Sequence, residues 1–387
     1  MDISYIINEL GEEREHYFNA VAPPIIQTSN FVYNKVEDLY KAFQDEMSGY
    51  LYSRGLNPTV DILRKKLAAL DGAEDCLVFN NGAAATFAAV FANVNAGDHI
   101  VCVDKPYSWT QHMCNRILPR FGVTTTYIDG TSIENFERAI LPNTSVIYLE
   151  SPNSWDYKIQ DLKAVSELAK SENIVTIIDN SYCSPLYQKP IDFGIDIVMQ
   201  TATKYINGHS DTLGGILTGS HAMIKKIFDS EYMCIGSGTT PFNAWMMLRG
   251  LRTLQARFER ITATTQKVLA WVKQHPKVEK VWFPLDESFP QYELAKKQMK
   301  GACGLFTIVL KAERMEQIVN FCESLQHLVM AVSWGGYESL ALPKCAGIKP
   351  EHFKAEKEMH RSVRIYVGLE EADYLIKDIE QALEKMG

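Results

Sequence analysis

The stretch NIVTIIDNSYCSPLYQKPIDFGIDIVMQTATKY, residues 173–205, holds two short apolar runs, Ile174–Ile178 and Ile195–Met199. Each run reads as a buried strand, and the first ends in Asp179. The second leads directly into Thr201-Ala202-Thr203-Lys204-Tyr205, followed by Gly208-His209-Ser210-Asp211. Between them lies enough chain for a helical crossover. Working outward, the same alternation covers residues 75–219. Further runs occur at Cys76–Phe79, His99–Val103, Val123–Tyr127, Val146–Leu149 and Gly215–Thr218. Seven such runs separated by helix-length segments predict an α/β fold with a mostly parallel seven-stranded sheet covered by helices on both faces.

Beyond about residue 248 the pattern changes. Arg249–Gln274 reads as one long helix, followed by strands at Val278–Phe283 and Leu305–Leu310 and a helix near Arg314–Ser324. Strands around Val329–Ser333 and Val363–Val367 and a closing helix from Ala372 complete a smaller C-terminal α+β domain. In the first part of the chain, Thr59–Leu70 carries a helical apolar stripe that Gly72 would stop. The residues before it, with Pro23-Pro24 and several aromatics, read as an irregular arm. The expected organisation is therefore an arm (1–54), a large domain (55–248) and a smaller domain (249–387).

A chain of 387 residues is too long for one typical core, which agrees with two domains. A net charge of −8 argues against nucleic acid or an anionic membrane as the main partner. No apolar run approaches the roughly 20 residues that a bilayer requires. Asp2, Glu9, Glu12 and Glu13 give the first residues the wrong charge for a signal peptide, so a cytoplasmic location is expected. The eight cysteines are scattered singly, as reduced thiols would be. The nine histidines form no H-E-x-x-H or similar pair, so no metal site is expected.

Lys204, flanked by hydroxyls and a glycine-rich turn just after a strand, suits a Schiff-base lysine, although most lysines in loops are simply exposed. Asp179 supplies the context. A carboxylate at the carboxyl end of a strand lies where ligands bind in open α/β sheets, and it can hold the ring nitrogen of pyridoxal 5′-phosphate (PLP) protonated. Alone, such an Asp is usually a cap or turn residue; with a lysine after the next strand, the pair is far more specific. Asn80-Asn81-Gly82-Ala83-Ala84-Ala85 would open a helix whose N–H groups receive a phosphate, although small residues there also suit tight helix–sheet packing. Thr201 and Thr203 can add hydroxyl donors. Tyr107, just past His99–Val103, could stack on a planar ring or sit at the rim of the core. Arg364, alternating with apolar neighbours in Ser362–Val367, could fork onto a carboxylate or face solvent.

Taken together, these segments resemble the PLP enzymes of cysteine and methionine metabolism from about Pro23 onward. The marks are Tyr52-Ser53-Arg54 with Asn57-Pro58-Thr59, Gly97-Asp98-His99, Ile178-Asp179-Asn180, Ala202-Thr203-Lys204-Tyr205 with Gly208-His209-Ser210-Asp211, and Arg249-Gly250-Leu251. Within that family, Gly82-Ala83-Ala84-Ala85, Leu149-Glu150-Ser151-Pro152-Asn153-Ser154, Gln200–Lys204 and Ser333-Trp334-Gly335-Gly336-Tyr337-Glu338-Ser339-Leu340 resemble bacterial cystathionine β-lyases. The resemblance implies a fold-type I homotetramer, a dimer of dimers, in methionine biosynthesis and transsulfuration. Lys204 would hold PLP and move the α-proton, Asp179 would pair with the ring nitrogen, and Tyr107 would stack. Gly82, Ala83, Thr201 and Thr203 would bind phosphate, joined by Tyr52 and Arg54 of a neighbouring subunit. Arg364, with Ser333, Trp334 and Ser154, would hold the carboxylate of a sulfur amino acid.

The implied reaction is β-elimination of L-cystathionine, with γ-elimination of methionine, homocysteine or cystathionine, or desulfhydration of cysteine or cystine, as the alternatives. Three departures leave the substrate open. Tyr52–Thr59 follows the broad family pattern, Asn180-Ser181-Tyr182 replaces a more usual Asn-Thr-Trp or Asn-Thr-Phe, and Val332 matches methionine γ-lyases. A dinucleotide-binding dehydrogenase would share the strand–helix alternation, but no G-x-G-x-x-G follows a strand. A purely structural relative would be expected to have lost Lys204, Asp179 or Arg364.

Overall fold

Each strand expected between residues 75 and 219 forms, and each begins or ends within two residues of its apolar run. In the computed structural model, which describes residues 1–387, they are β1 (Asp75–Phe79), β2 (His99–Val103), β3 (Thr124–Ile128), β4 (Thr144–Glu150), β5 (Val175–Asp179), β6 (Ile197–Gln200) and β7 (Gly215–Gly219). The sheet order is β1-β7-β6-β5-β4-β2-β3. The four pairings from β6 across to β3 are parallel, and β7 runs antiparallel to both of its neighbours.

Alternate residues of each strand feed two apolar layers. On β4, Val146 and Tyr148 join Leu77, Ala88, Ile100 and Ile177 on one face. Ile147 and Leu149 join Val101, Ile178 and Val198 on the other, under the helix Leu162–Ser171. Burial on both faces explains why the runs read as continuously apolar rather than alternating. β3, at the sheet edge, is the one strand of this sheet with no buried residue.

The helix expected at Thr59–Leu70 spans Pro58–Asp71, with Asn57 Oδ1 accepting from Thr59 N at 3.0 Å. Gly72 ends it at φ 75°, a left-handed conformation that favours glycine. The arm is less irregular than its sequence suggests. It contains helices Ile3–Asn8, capped by Asp2, and Val36–Gln44. The buried Lys66 ammonium donates to Ile6 O and Ile7 O at 2.9 and 3.0 Å and lies 3.1 Å from Glu12, which fastens the first helix.

The expected helix Arg249–Gln274 is two helices, Pro241–Arg252 and Leu254–Val272. Thr253, at φ −106° and ψ 3°, leaves the helical region, and its Oγ1 accepts from Arg257 Nε at 3.1 Å. The expected strand Val329–Ser333 shrinks to β10 (Val329–Met330), because Ser333 takes φ 82°, which no strand allows. With β8 (Val278–Trp282), β9 (Leu305–Leu310), β11 (Leu340–Pro343) and β12 (Ser362–Tyr366) it forms a second sheet, ordered β10-β11-β12-β9-β8. The strand β11 has no counterpart in the sequence reading.

The chain divides into two compact units. One is Met1–Pro152, Ile159–Asn207 and Asp211–Arg252; the other is Asn153–Lys158, Gly208–Ser210 and Thr253–Gly387. Two short segments from the middle of the chain thus belong with the C-terminal part, which a division by sequence position alone does not separate. No helix is long and apolar enough to cross a membrane.

Candidate active site

In the first unit, the polar residues singled out by sequence gather at the carboxyl ends of β5 and β6. The register sets Asp179 opposite Met199. Asp179 is 7% exposed, and its Oδ1 accepts from Ser181 N at 2.9 Å. Burial pushes its carboxyl above the usual carboxylate range, while the Ser181 bonds and the positive charge of Lys204 act against that shift. Asp179 and Lys204 therefore face each other electrostatically. Ser181 also joins the two strand ends, since its Oγ accepts from Thr201 N at 2.7 Å.

Lys204 closes the turn after β6, with its N–H donating to Thr201 O at 3.2 Å. Its side chain is half-buried, between buried Ala202 and buried Tyr205. Thr203 Oγ1 accepts from Gly214 N at 3.1 Å, which ties the turn to the chain entering β7.

The helix Gly82–Phe91 starts at the same edge, and Asn81 Oδ1 caps it by accepting from Ala84 N at 2.8 Å. A Cβ on Gly82 would lie 2.4 Å from Thr201 Oγ1. Only glycine fits there, so the helix N-terminus and the Thr201 hydroxyl meet at van der Waals distance. Tyr107 is 46% exposed, and its N–H donates to Glu150 Oε2 at 2.6 Å. Burial raises its phenol, helped by the negative charges of Asp179 and Glu150. Tyr107 is thus within electrostatic reach of Asp179.

This donor set fits PLP. A helix N-terminus with a hydroxyl suits a phosphate dianion, a buried carboxylate suits a protonated ring nitrogen, and a half-buried amine suits the aldehyde carbon. Tyr52 and Arg54 stand apart in the arm, both exposed, with the guanidinium 5.4 Å from the Tyr52 ring centroid.

In the second unit, Arg364 lies on β12 and is 8% exposed. Its Nη1 donates to Ser154 O at 3.1 Å, and its Cζ is 4.9 Å from the Trp155 ring centroid. Ser154 thus meets Arg364 through its backbone carbonyl. Trp334 is buried, and the loop it occupies is held by Tyr366 OH, which donates to Gly336 O at 2.7 Å. Glu338 accepts from Ser210 Oγ at 2.6 and 2.9 Å.

The model of the Cys/Met metabolism PLP-dependent enzymes matches residues 5–384. The chain belongs to that family. An L-methionine γ-lyase of Treponema denticola is 39% identical over 95% of this chain and 94% of its own. A cystathionine γ-lyase of Bacillus subtilis is 33% identical over 97% of each chain. The crystal structure of metB from Corynebacterium glutamicum superposes with a TM-score of 0.91 at 31% identity, covering 100% of this chain and 99% of that one. The fold is that of a fold-type I PLP enzyme, PLP is the cofactor, and the class is a PLP-dependent carbon–sulfur lyase.

Three residues that shape this member of the family escaped the sequence reading. Glu150 was visible only as part of a motif, yet it fixes the backbone of Tyr107. Ser181 stands at a departure from the family pattern, and its hydroxyl is what links the Asp179 and Lys204 segments. Trp155 follows a named serine, and nothing in its neighbours signals a ring against Arg364. A strand-end acid signals the first; the other two are tertiary contacts with no local signature.

Proposed function

We propose that the chain catalyses β-elimination on an L-amino-acid thioether, L-cystathionine giving homocysteine, pyruvate and ammonia. The observation that carries this reading is the loop Ser333–Leu340, which matches the β-lyase pattern and buries Trp334. Ser154, which matches the same pattern, supports it from a second place. The site residues keep the roles implied above. Lys204, Asp179, Tyr107, Gly82, Ala83, Thr201 and Thr203 would hold PLP, and Arg364 with Ser333, Trp334 and Ser154 would hold the substrate carboxylate.

When bound, PLP supplies the electron sink that lets a Cα–H bond ionise. The work left to the protein is positional. Arg364 fixes the carboxylate and hence the direction of the Cα–H bond. The Lys204 amine would take the Cα proton at Nζ. The electron pair from that bond would form the Cα–Cβ double bond as the Cβ–S bond breaks and the sulfur leaves as thiolate, and water would then convert the released enamine to pyruvate and ammonia. Asp179, buried at the strand end, would hold the ring nitrogen in its protonated form.

γ-Elimination is the second reading, supported by the γ-lyase names of the relatives and by Val332. It needs a second proton removed, from Cβ, before the thiolate leaves Cγ, and therefore a base that reaches both carbons. Identifying the keto acid decides between the two. L-Cystathionine yielding pyruvate and homocysteine supports β-elimination; 2-oxobutyrate with cysteine, or 2-oxobutyrate with methanethiol from L-methionine, overturns it.

A further inference from the structure

Trp155 is set in place by residues of the same compact unit. Thr307 on β9 lies directly across from Arg364 on β12 in the antiparallel register. Its Oγ1 donates to Trp155 O at 3.0 Å and lies 3.1 Å from the Tyr157 hydroxyl. Trp155 N donates to Asn153 Oδ1 at 2.9 Å. The backbone of Trp155 is thus pinned to the strand beside Arg364, and the indole reaches the guanidinium, with Cζ 4.9 Å from the ring centroid. Lys344, just past β11, brings a second cation to the same ring, with Nζ 4.2 Å from the centroid.

A long arginine loses much rotamer freedom when it must hold one plane, and an aromatic face and a fixed carbonyl are means of holding it. Here the Trp155 ring, 4.9 Å from Cζ, and Ser154 O, accepting from Nη1 at 3.1 Å, are two such contacts on the guanidinium. We infer that Trp155 is a positioning residue for substrate recognition: it orients Arg364 so that the guanidinium meets the amino-acid carboxylate in a single geometry. The inference rests on the carboxylate role given to Arg364 above. Trp155 itself acts through Arg364, and Lys344 on the same ring adds positive charge that favours an anion nearby.

The test compares two unreactive amines on the holoenzyme, L-norleucine and n-butylamine, by titrating the absorbance of the bound cofactor. Only the first carries a carboxylate. Trp155→Leu is expected to weaken L-norleucine about tenfold while n-butylamine stays within about twofold. Trp155→Phe, which keeps an aromatic face, should recover most of the loss. A general structural role would move both amines together, and that result overturns the inference. So does a Trp155→Leu enzyme that binds L-norleucine normally while Arg364→Lys does not. If Arg364→Lys also binds it normally, the carboxylate assignment of Arg364 fails and takes this inference with it.

Discussion

Asp179 and Lys204 stand at the ends of neighbouring parallel strands, and the lysine's charge partly offsets the burial that raises the Asp179 carboxyl. A buried carboxylate in that position costs free energy unless a cation or donor faces it. The first prediction follows from the sign of this balance. Asp179→Asn keeps the shape and the Ser181 bond but removes the negative charge. Turnover should fall on the order of a hundredfold, a loss of about 3 kcal/mol for an uncompensated buried charge partner. Steady-state kinetics at saturating PLP checks this, and turnover within a few-fold of wild type would sink the role of Asp179.

Lys204 is the only lysine on the turn that follows β6, where Ala202, Tyr205 and Ile206 are buried. Lys204→Ala should bind PLP without a covalent link, so borohydride should no longer attach the cofactor to the protein. Turnover should fall by several orders of magnitude. Mass spectrometry of the reduced protein reads the first outcome directly. A retained covalent adduct in the variant would mean that another amine holds the cofactor.

Gly82 tests the phosphate end separately. An added methyl would sit 2.4 Å from Thr201 Oγ1, too close for either group to remain where it is. Gly82→Ala should therefore push the Thr201 hydroxyl away from the helix N-terminus and weaken PLP about tenfold or more, at a cost of roughly 1.5–3 kcal/mol for one charge-assisted bond. Reconstituting the apoenzyme with a PLP titration gives the number. An unchanged affinity would remove Gly82 and Thr201 from the cradle.

The large sheet was legible in the sequence because its strands are buried on both faces, so each shows as a continuous apolar run. The second sheet was only half legible. Leu340–Pro343 is four residues long and contains a proline, too little to separate from a loop, and only its pairings with Val329–Met330 and Ser362–Tyr366 make it a strand. The long helix was misread because nothing in Arg252-Thr253-Leu254 breaks an apolar stripe; the break is the conformation of Thr253. The placement of Lys204, Asp179 and Gly82 at one sheet edge could be anticipated because each sits at a strand end or helix start that local pattern marks. Trp155 could not, since its meeting with Arg364 depends on Thr307, 152 positions further along the chain.

Asp71 carries a pH prediction. It is fully buried, accepts from Gln200 Nε2 at 2.8 and 2.7 Å and from Thr218 Oγ1 at 2.7 Å, and burial pushes its carboxyl up to about 7 despite those bonds. Its folded value thus lies above the ordinary 3.8. The folded state holds the proton more tightly, so this contribution to stability is complete below pH 3.8 and is lost as pH rises through about 7. The slope from this group is at most about 1.4 kcal/mol per pH unit. Asp71→Asn should flatten the fall in urea midpoint between about pH 4 and 7. An equally steep fall in the variant would assign the slope to other groups.

Tyr52 and Arg54 lead to the last prediction, which concerns assembly. Both side chains are exposed in the arm, and the guanidinium rests on its own tyrosine 5.4 Å away. The arm around them is nevertheless well fixed: Asn57 Nδ2 donates to Ile26 O at 2.9 Å, and Thr59 Oγ1 donates to Pro24 O at 2.9 Å. The arm also exposes Phe18, Val21, Val32, Tyr40 and Phe43, a costly arrangement for a surface left in water. We propose that this arm packs on a second copy of the chain and delivers Tyr52 and Arg54 to the partner's phosphate site. Arg54→Ala should then weaken PLP retention by about 1.5–3 kcal/mol, the size of one charge-assisted bond, without changing the oligomeric state. Disrupting the apolar arm, for example with Phe43→Asp, should reduce both association and PLP retention. Sedimentation and a PLP titration on each variant read the two effects. A cofactor-saturated, fully active monomer would refute the shared site, and so would an Arg54→Ala protein that retains PLP as tightly as wild type.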